Sequence, residues 1–110
     1  MAAEYLLSKG MQILRSQYRQ PFGEIDLIAQ DGDEVVFVEV KSRQTATFGH
    51  PEESVTAEKI RHIVRVGERY LCEQTQAEMC WRIDVIAIEF DHQPPKITHL
   101  VNIDIPGTSW

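Results

Sequence analysis

The sequence predicts an α/β fold in which helices pack on a mixed central β-sheet. Segments rich in β-branched residues alternate with segments of helical periodicity, and their order is helix, three strands, helix and two strands. The run VVFVEV at residues 35–40 is apolar at nearly every position, which is typical of a central strand covered on both faces. A sheet of this kind buries its faces under helices.

The first predicted helix is short and lacks a cap. Residues 2–9, AAEYLLSK, have helical character, and Gly10 predicts the end of the helix. No residue before Ala2 can cap this helix, and a helix of this length is marginal alone. We therefore expect the natural helix to begin upstream of Met1.

The second predicted helix covers residues 57–73, with Thr56 as its N-cap. Its apolar residues recur at helical spacing along one face, whereas Arg61, Arg65 and Arg69 lie on the opposite face. These arginines fit either contacts with phosphates or an ordinary solvated face, because glutamates interrupt the basic stripe.

The strand predictions rest on β-branched and aromatic composition. A hairpin turn is predicted at Asp31-Gly32, and residues 44–55 have loop composition. A loop held by a rigid sheet could close on a nucleic-acid strand. The predicted strands cover residues 11–18, 24–30, 34–43, 82–90 and 96–103, the last of them as an edge strand.

Length and composition indicate one globular domain over residues 1–110. Hydrophobic residues make up 43% of the chain and charged residues 25%, so a core can form without disulfides or metals. No apolar run approaches the roughly 20 residues of a membrane helix, and no signal peptide is evident. We therefore expect a cytoplasmic protein without a membrane partner, in which Cys72 and Cys80 are free thiols.

The net charge is −6, which argues against a protein that coats nucleic acid through bulk charge. The charge does not exclude local contacts with nucleic acid. A metal-binding enzyme needs acidic ligands and can bind a polyanion through a small basic patch. The four histidines are scattered and have no metal-ligand spacing.

The predicted hairpin brings three charged residues onto one face. A two-residue turn would place Asp26 opposite Phe37, and a four-residue loop would place Asp26 opposite Glu39. Side chains alternate between faces along a strand, so Asp26, Glu39 and Lys41 share a face in both registers.

Two carboxylates close together on a sheet repel, and a divalent cation would explain their proximity. Oxygen ligands suit Mg²⁺ or Mn²⁺, and the Val40 carbonyl lies between the two charged side chains of its strand. Such a metal can acidify a water and offset charge on a scissile phosphate. Lys41 could hold the attacking water or stabilise the developing charge.

A structural interpretation of the same residues stays open at this point. Glu39 and Lys41 could form a solvated ion pair where their strand leaves the core, with Asp26 hydrogen-bonded locally. Spacing alone does not decide between the two interpretations. Asp84 stands in an otherwise apolar strand, and we expect it to be a structural partner of a basic residue rather than a metal ligand.

An ordered set of motifs covers nearly the whole chain and resembles the YraN-type family of uncharacterised bacterial proteins. That family looks like a distant relative of archaeal Holliday-junction resolvases, within the PD-(D/E)xK nuclease superfamily. The resemblance implies a restriction-endonuclease-like core. The motifs are GEIDLIA at 23–29, VFVEVKSR at 36–43, FGHPEESVTAEK at 48–59, RIDVIAI at 82–88 and PPKITHLVN at 94–102.

The resemblance also implies roles for individual residues. Asp26 and Glu39 match the two acids of the superfamily, and Lys41 matches its lysine, so these three are the expected catalytic residues. Mg²⁺ or Mn²⁺ is the implied cofactor and DNA the implied partner, in the form of branched or recombination and repair intermediates. The resolvase relatives further imply a homodimer.

Three further residues are candidates for contact with nucleic acid. Arg43 and Lys59 each lie inside a family-like motif near the hairpin or the loop. Ser42 could donate a hydrogen bond to a phosphate or simply end its strand.

The chain departs from the superfamily pattern at two positions. Ile25 precedes Asp26, where the superfamily's name has a proline. The family also has a glutamate in its first helix, at a position that we expect upstream of Met1, and Glu4 would project about 140° away from it. A non-catalytic module that binds nucleic acid or protein on a nuclease-like fold is therefore the alternative function.

Overall fold

A computed structural model describes residues 1–43, 55–74 and 79–105. The predicted element order is confirmed. The elements are α1 (Ala2–Ser8), β1 (Gln12–Gln20), β2 (Gly23–Asp31), β3 (Glu34–Arg43), α2 (Ala57–Glu73), β4 (Cys80–Glu89) and β5 (Lys96–Leu100). The predicted loop at 44–55 lies outside the described residues except for Val55. No helix in the described ranges is long and apolar enough to cross a membrane.

All five strands form one mixed sheet in the order β1-β2-β3-β4-β5. The β3–β4 pair is parallel and the other pairs are antiparallel, so α2 lies in the crossover that a parallel connection requires. β3 is the middle strand, and its residues 35–39 are all buried, which confirms the position predicted from the apolar run. β5 is an edge strand, as predicted.

The helices cover opposite faces of this sheet, which confirms the restriction-endonuclease-like α/β core. The α2 face contains Phe37 and Val85 of the sheet, and α2 contributes apolar side chains such as Ile63. The other face contains Val36 of the sheet, on which Leu6 of α1 packs. The two layers bury both sides of the central strands.

The second helix has the predicted bounds and the predicted cap. The Lys59 backbone N–H donates to Oγ1 of Thr56 over 3.1 Å, which satisfies one of the free donors at the start of α2. Arg61, Arg65 and Arg69 are exposed, as expected for the face opposite the core. Arg65 stacks over the Phe22 ring, with 4.5 Å between Cζ and the ring centroid.

The β2–β3 turn lies one residue later than predicted. Asp31 pairs with Glu34, so the turn residues are Gly32 and Asp33, and Gly32 has a φ of +61°. The Arg82 guanidinium explains the shift, because it bonds Asp31 over 3.1 Å and Glu34 over 2.7 Å and so joins the last pair of the hairpin. The register is that of the four-residue alternative, with Gln30 opposite Val35.

Asp84 is fully buried and is the structural partner of a basic residue, Arg82, as predicted. Its carboxylate accepts from Arg82 Nε over 3.0 Å, contacts His99 Nε2 at 2.7 Å and accepts from the Asn102 N–H over 2.9 Å. The last bond explains why β5 ends at Leu100 rather than at residue 103. Asn102 takes a left-handed conformation, with a φ of +55°, and its N–H points to Asp84 instead of continuing the strand.

We predict that Gly67→Ala destabilises the fold. A Cβ at residue 67 would lie 2.6 Å from Cε2 of Phe37, which is too close for any real contact. The overpacked core should lose about 1–3 kcal/mol in the free energy of unfolding, measured in urea. At an exposed helical position the same change would gain about 1 kcal/mol, so a stabilised protein would contradict the contact. Glu68→Ala, at the exposed neighbouring residue, is the control.

Candidate functional site

The site begins where the pairing of β2 with β3 stops. The ladder runs from the turn to the pair Leu27–Val38 and goes no further. One step beyond it, Asp26 lies level with Glu39 in register. We call this region, formed by Asp26, Glu39 and Val40, the open end of the hairpin.

Asp26 also lacks a partner in the strand on its other side. β1 pairs Ser16 with Leu27 and Tyr18 with Ile25, and it passes over Gln17. Among the residues of β2, all of which are described, only Asp26 has no Cα partner in either neighbouring strand. The sheet is therefore interrupted on both sides of this carboxylate.

The Asp26 side chain accepts a backbone hydrogen bond that regular pairing of β2 with β3 would otherwise satisfy. Its Oδ2 accepts a hydrogen bond of 2.8 Å from the Val40 backbone N–H. The N–H and C=O of one strand residue point towards the same neighbouring strand, so the Val40 carbonyl also faces this gap. Two kinds of oxygen, one carboxylate and one backbone carbonyl, therefore lie at the open end.

Glu39 is a buried acid beside a second acid. Its side chain is only 4% exposed. Burial raises the pKa of Glu39, and the charge and hydrogen bond of the neighbouring Asp26 carboxylate raise it further. Lys59 and Lys41 oppose this shift but do not cancel it. The charged form of Glu39 is therefore less favourable here than in water, and added positive charge would favour it.

Two lysines reach the same oxygen of Glu39. Lys41 Nζ lies 3.5 Å from Glu39 Oε2, and Lys59 Nζ lies 3.6 Å from it. Lys41 follows Glu39 on the same face of β3, whereas Lys59 comes from the first turn of α2, where Thr56 fixes the helix start. The side chains of Lys41 and Lys59 are 32% and 41% exposed, so their ammonium groups can also meet an anion from solvent.

A cavity of about 370 Å³ opens beside Asp26. Its wall includes the first residues of α1 and the β1 residues Ser16 and Gln17, as well as Asp26, Leu27 and Val40. The cavity is large enough for several waters or one ligand group. Sequence reasoning missed Ser16 and Gln17, because polar residues in a strand-like run give no sign of a cavity wall.

The predicted nucleic-acid contacts occupy different places. Lys59 is at Glu39, as described above. Arg43 is half-buried at the end of β3, on the same face as Lys41, and its carbonyl accepts from the Phe90 N–H over 2.8 Å. Ser42 is exposed and points to the opposite face. The structure thus brings Asp26, Glu39, Lys41 and Lys59 together, with Arg43 farther along the same side.

A second compact group of possible cation ligands lies at the end of β4. Ligand atoms of Glu89, Asp91 and His92 all lie within 4.8 Å of one another. His92 Nε2 is 3.4 Å from Glu89 and 3.5 Å from Asp91, so the imidazole contacts both carboxylates. His92 thus has acidic neighbours despite the scattered histidine pattern of the sequence.

The five-stranded mixed sheet and its two helices define an α/β protein with a restriction-endonuclease-like core. The chain belongs to Uncharacterised protein family UPF0102, whose family model matches residues 1–88. This confirms the YraN-type family indicated by the motifs.

Relatives from distant bacteria support this assignment. A UPF0102 protein of Geobacter metallireducens is 41% identical over 102 residues, which cover 93% of this chain and 84% of the relative. One from Rhodococcus opacus is 43% identical over 101 residues, covering 91% and 86%. One from Prosthecochloris aestuarii is 46% identical over 87 residues, covering 79% and 68%.

We predict that Glu39→Gln stabilises the protein at neutral pH when no divalent cation is present. A carboxyl whose pKa is raised by folding contributes most below its unfolded pKa, and the contribution is lost as pH rises through its folded pKa. Glutamine does not ionise, so the variant does not lose this stability as the pH rises. The melting temperature of Glu39→Gln should exceed that of the wild type at pH 8, and the gap should shrink towards pH 4, measured in chelator.

Glu68→Gln is the control, because Glu68 lies on the solvent side of α2. It should leave the difference between pH 4 and pH 8 unchanged. A Glu39→Gln protein less stable than the wild type at pH 8 would show that the two lysines, rather than burial and Asp26, dominate the energy of this carboxylate.

Proposed function

We propose that this protein is a divalent-metal-dependent endonuclease that cleaves DNA, with branched or recombination and repair intermediates as substrates. The single observation that supports this best is the meeting of Asp26, Glu39 and Lys41 at the open end of the hairpin. The buried Glu39 is costly there for stability alone, because burial takes its carboxylate out of water and Asp26 adds a second acid beside it. Energetically costly, perturbed carboxylates occur preferentially at functional sites.

The donor set fits Mg²⁺ or Mn²⁺. Asp26 and Glu39 offer carboxylate oxygens and Val40 offers its carbonyl, and such hard oxygen donors are the ligands that these ions prefer. The cavity lined by Asp26 and Val40 leaves room for waters beside these two donors, while Glu39 is not part of its lining. When bound, the ion would supply positive charge to the phosphate and would lower the pKa of a water.

In this proposal the lysines handle negative charge. The Lys41 side chain is 32% exposed and its Nζ lies 3.5 Å from Glu39, so its ammonium can turn from that carboxylate to a phosphate oxygen or to the attacking water. Lys59 approaches from α2 and can fix a neighbouring phosphate. Asp26, held by the Val40 N–H, keeps one carboxylate oxygen in a fixed place.

DNA would meet the protein through a few local contacts. We propose Lys59 and Arg43 as these contacts, whereas Ser42 lies on the opposite face, and we propose a homodimer that presents two sites to a branched substrate. The net charge of −6 requires that attraction be local, and with so few cationic contacts the affinity should fall only shallowly with salt.

A non-catalytic module that binds nucleic acid or protein is the second candidate. One observation favours it: within the described residues, the charges at the open end already balance, with two carboxylates against Lys41 and Lys59. A balanced cluster can persist without a metal. This candidate predicts binding that needs no divalent ion.

We predict cleavage of at least one substrate in a panel of four-way junction, flapped and single-stranded DNA with Mg²⁺ or Mn²⁺. Asp26→Asn, Glu39→Gln and Lys41→Ala should each lower the rate by about 100-fold or more, because the two acids would hold the metal ion and Lys41 would stabilise charge on the reacting phosphate. Glu68→Gln should cleave as the wild type does. Product bands on denaturing gels give the rates.

The two candidate functions differ in whether activity requires a divalent metal ion and the Glu39 carboxylate. No cleavage of any substrate, combined with DNA binding that is equal in chelator and in Mn²⁺ and survives Glu39→Gln, would reject the nuclease and favour the binding module. Loss of turnover in Lys41→Ala with DNA affinity retained would reject the module.

A further inference from the structure

Strand β1 departs from regular structure twice in front of the candidate site. Its register with β2 shifts between Ile13 and Arg15. Gln17 then has a φ of +49°, a left-handed conformation that is unfavourable for any residue with a Cβ. Gly10, before β1, also has positive φ, but glycine adopts it freely. Gln17 is therefore the strained residue of this strand.

Gln17 lies directly across from Asp26. The flanking pairs are Ser16 with Leu27 and Tyr18 with Ile25, so Gln17 and Asp26 would be the pair between them. That pair is missing. Both residues also line the cavity of about 370 Å³. The left-handed residue, the unpaired acid and the cavity thus coincide.

An extended backbone at Gln17 would restore the pairing of β1 with β2 at Asp26. With ordinary φ, β1 would continue its ladder through this position and Asp26 would become a regular paired residue. Irregular residues that interrupt a ladder beside an active site can redirect a side chain. Strained backbone of this kind persists only where the surroundings hold it, and it concentrates at functional sites.

We infer that Gln17 is a positioning residue for Asp26. Its left-handed backbone keeps β1 from pairing with β2 at this point, so that the Asp26 carboxylate stays at the cavity while Oδ2 remains bound to the Val40 N–H. Gln17 acts through Asp26 and needs no contact with the substrate. The inference rests on the proposed function, since the ligand that Asp26 is held for is the divalent cation.

A purely structural role would also interrupt this strand. β1 is an edge strand, and irregularities at an edge hinder pairing with other chains. That role concerns self-association and leaves cation affinity unchanged. Cation affinity is therefore the measurement that separates the two roles.

The test measures Mn²⁺ affinity by calorimetry in four proteins. Gln17→Gly keeps the left-handed conformation without strain and should bind within about twofold of the wild type. Gln17→Val disfavours that conformation and should weaken Mn²⁺ binding by about 10- to 100-fold, the usual effect of losing support for a ligand. Gln12→Val is the matched control, because Gln12 is exposed in β1 and regularly paired with Gln30.

Wild-type affinity in Gln17→Val would overturn the inference, and so would an equal loss in Gln17→Gly. If Gln17→Val does not fold, the test uses the two glycine variants, Gln17→Gly and Gln12→Gly. Gln17→Gly should melt above the wild type and bind Mn²⁺, whereas Gln12→Gly should melt below it; a lowered melting temperature for Gln17→Gly overturns the inference.

Failure of the proposed function gives a distinct result. A wild type that binds no Mn²⁺ rejects both the metal site and the role of Gln17. The order of melting temperatures still reports whether residue 17 is left-handed.

Discussion

The structure around the site depends on one unfavourable arrangement, the burial of the Glu39 carboxylate beside Asp26 in the middle of the sheet. A central strand offers little water to a charged group, so every nearby feature offsets this cost. Two lysines reach the same carboxylate oxygen from different elements. The Val40 N–H binds Asp26, and both neighbouring strands leave Asp26 unpaired. Replacing a buried ion pair by well-packed apolar residues is often neutral or stabilising, so stability alone gives no reason for a carboxylate at position 39.

Much of the fold could be predicted because its signals are local. The continuous apolar run of β3 and the Thr56 cap of α2 gave both elements their observed bounds. The turn and the end of β5 could not be predicted, because each depends on a residue far away in sequence. Arg82 joins the last hairpin pair, and Asp84 redirects the Asn102 N–H.

The candidate site was predictable only in part, for the same reason. Parity along two strands places Asp26, Glu39 and Lys41 on one side in either register, and that follows from the alternation of side chains. The convergence of Lys59 on Glu39 needs the packing of α2 on the sheet. The left-handed conformation of Gln17 has no signal in the sequence, because glycine and, less often, asparagine or aspartate are the residues that mark such a conformation.

The Arg82 contacts at the hairpin turn also limit how the sequence can vary. Exposed turns usually accept an added or deleted residue with little effect. Here a change of one residue between Asp31 and Glu34 would shift β3 against β2 and turn alternate side chains to the other face. Glu39 would then leave Asp26, although neither acid had been altered. The length of this small surface turn is therefore as much a requirement of the site as the identity of its acids.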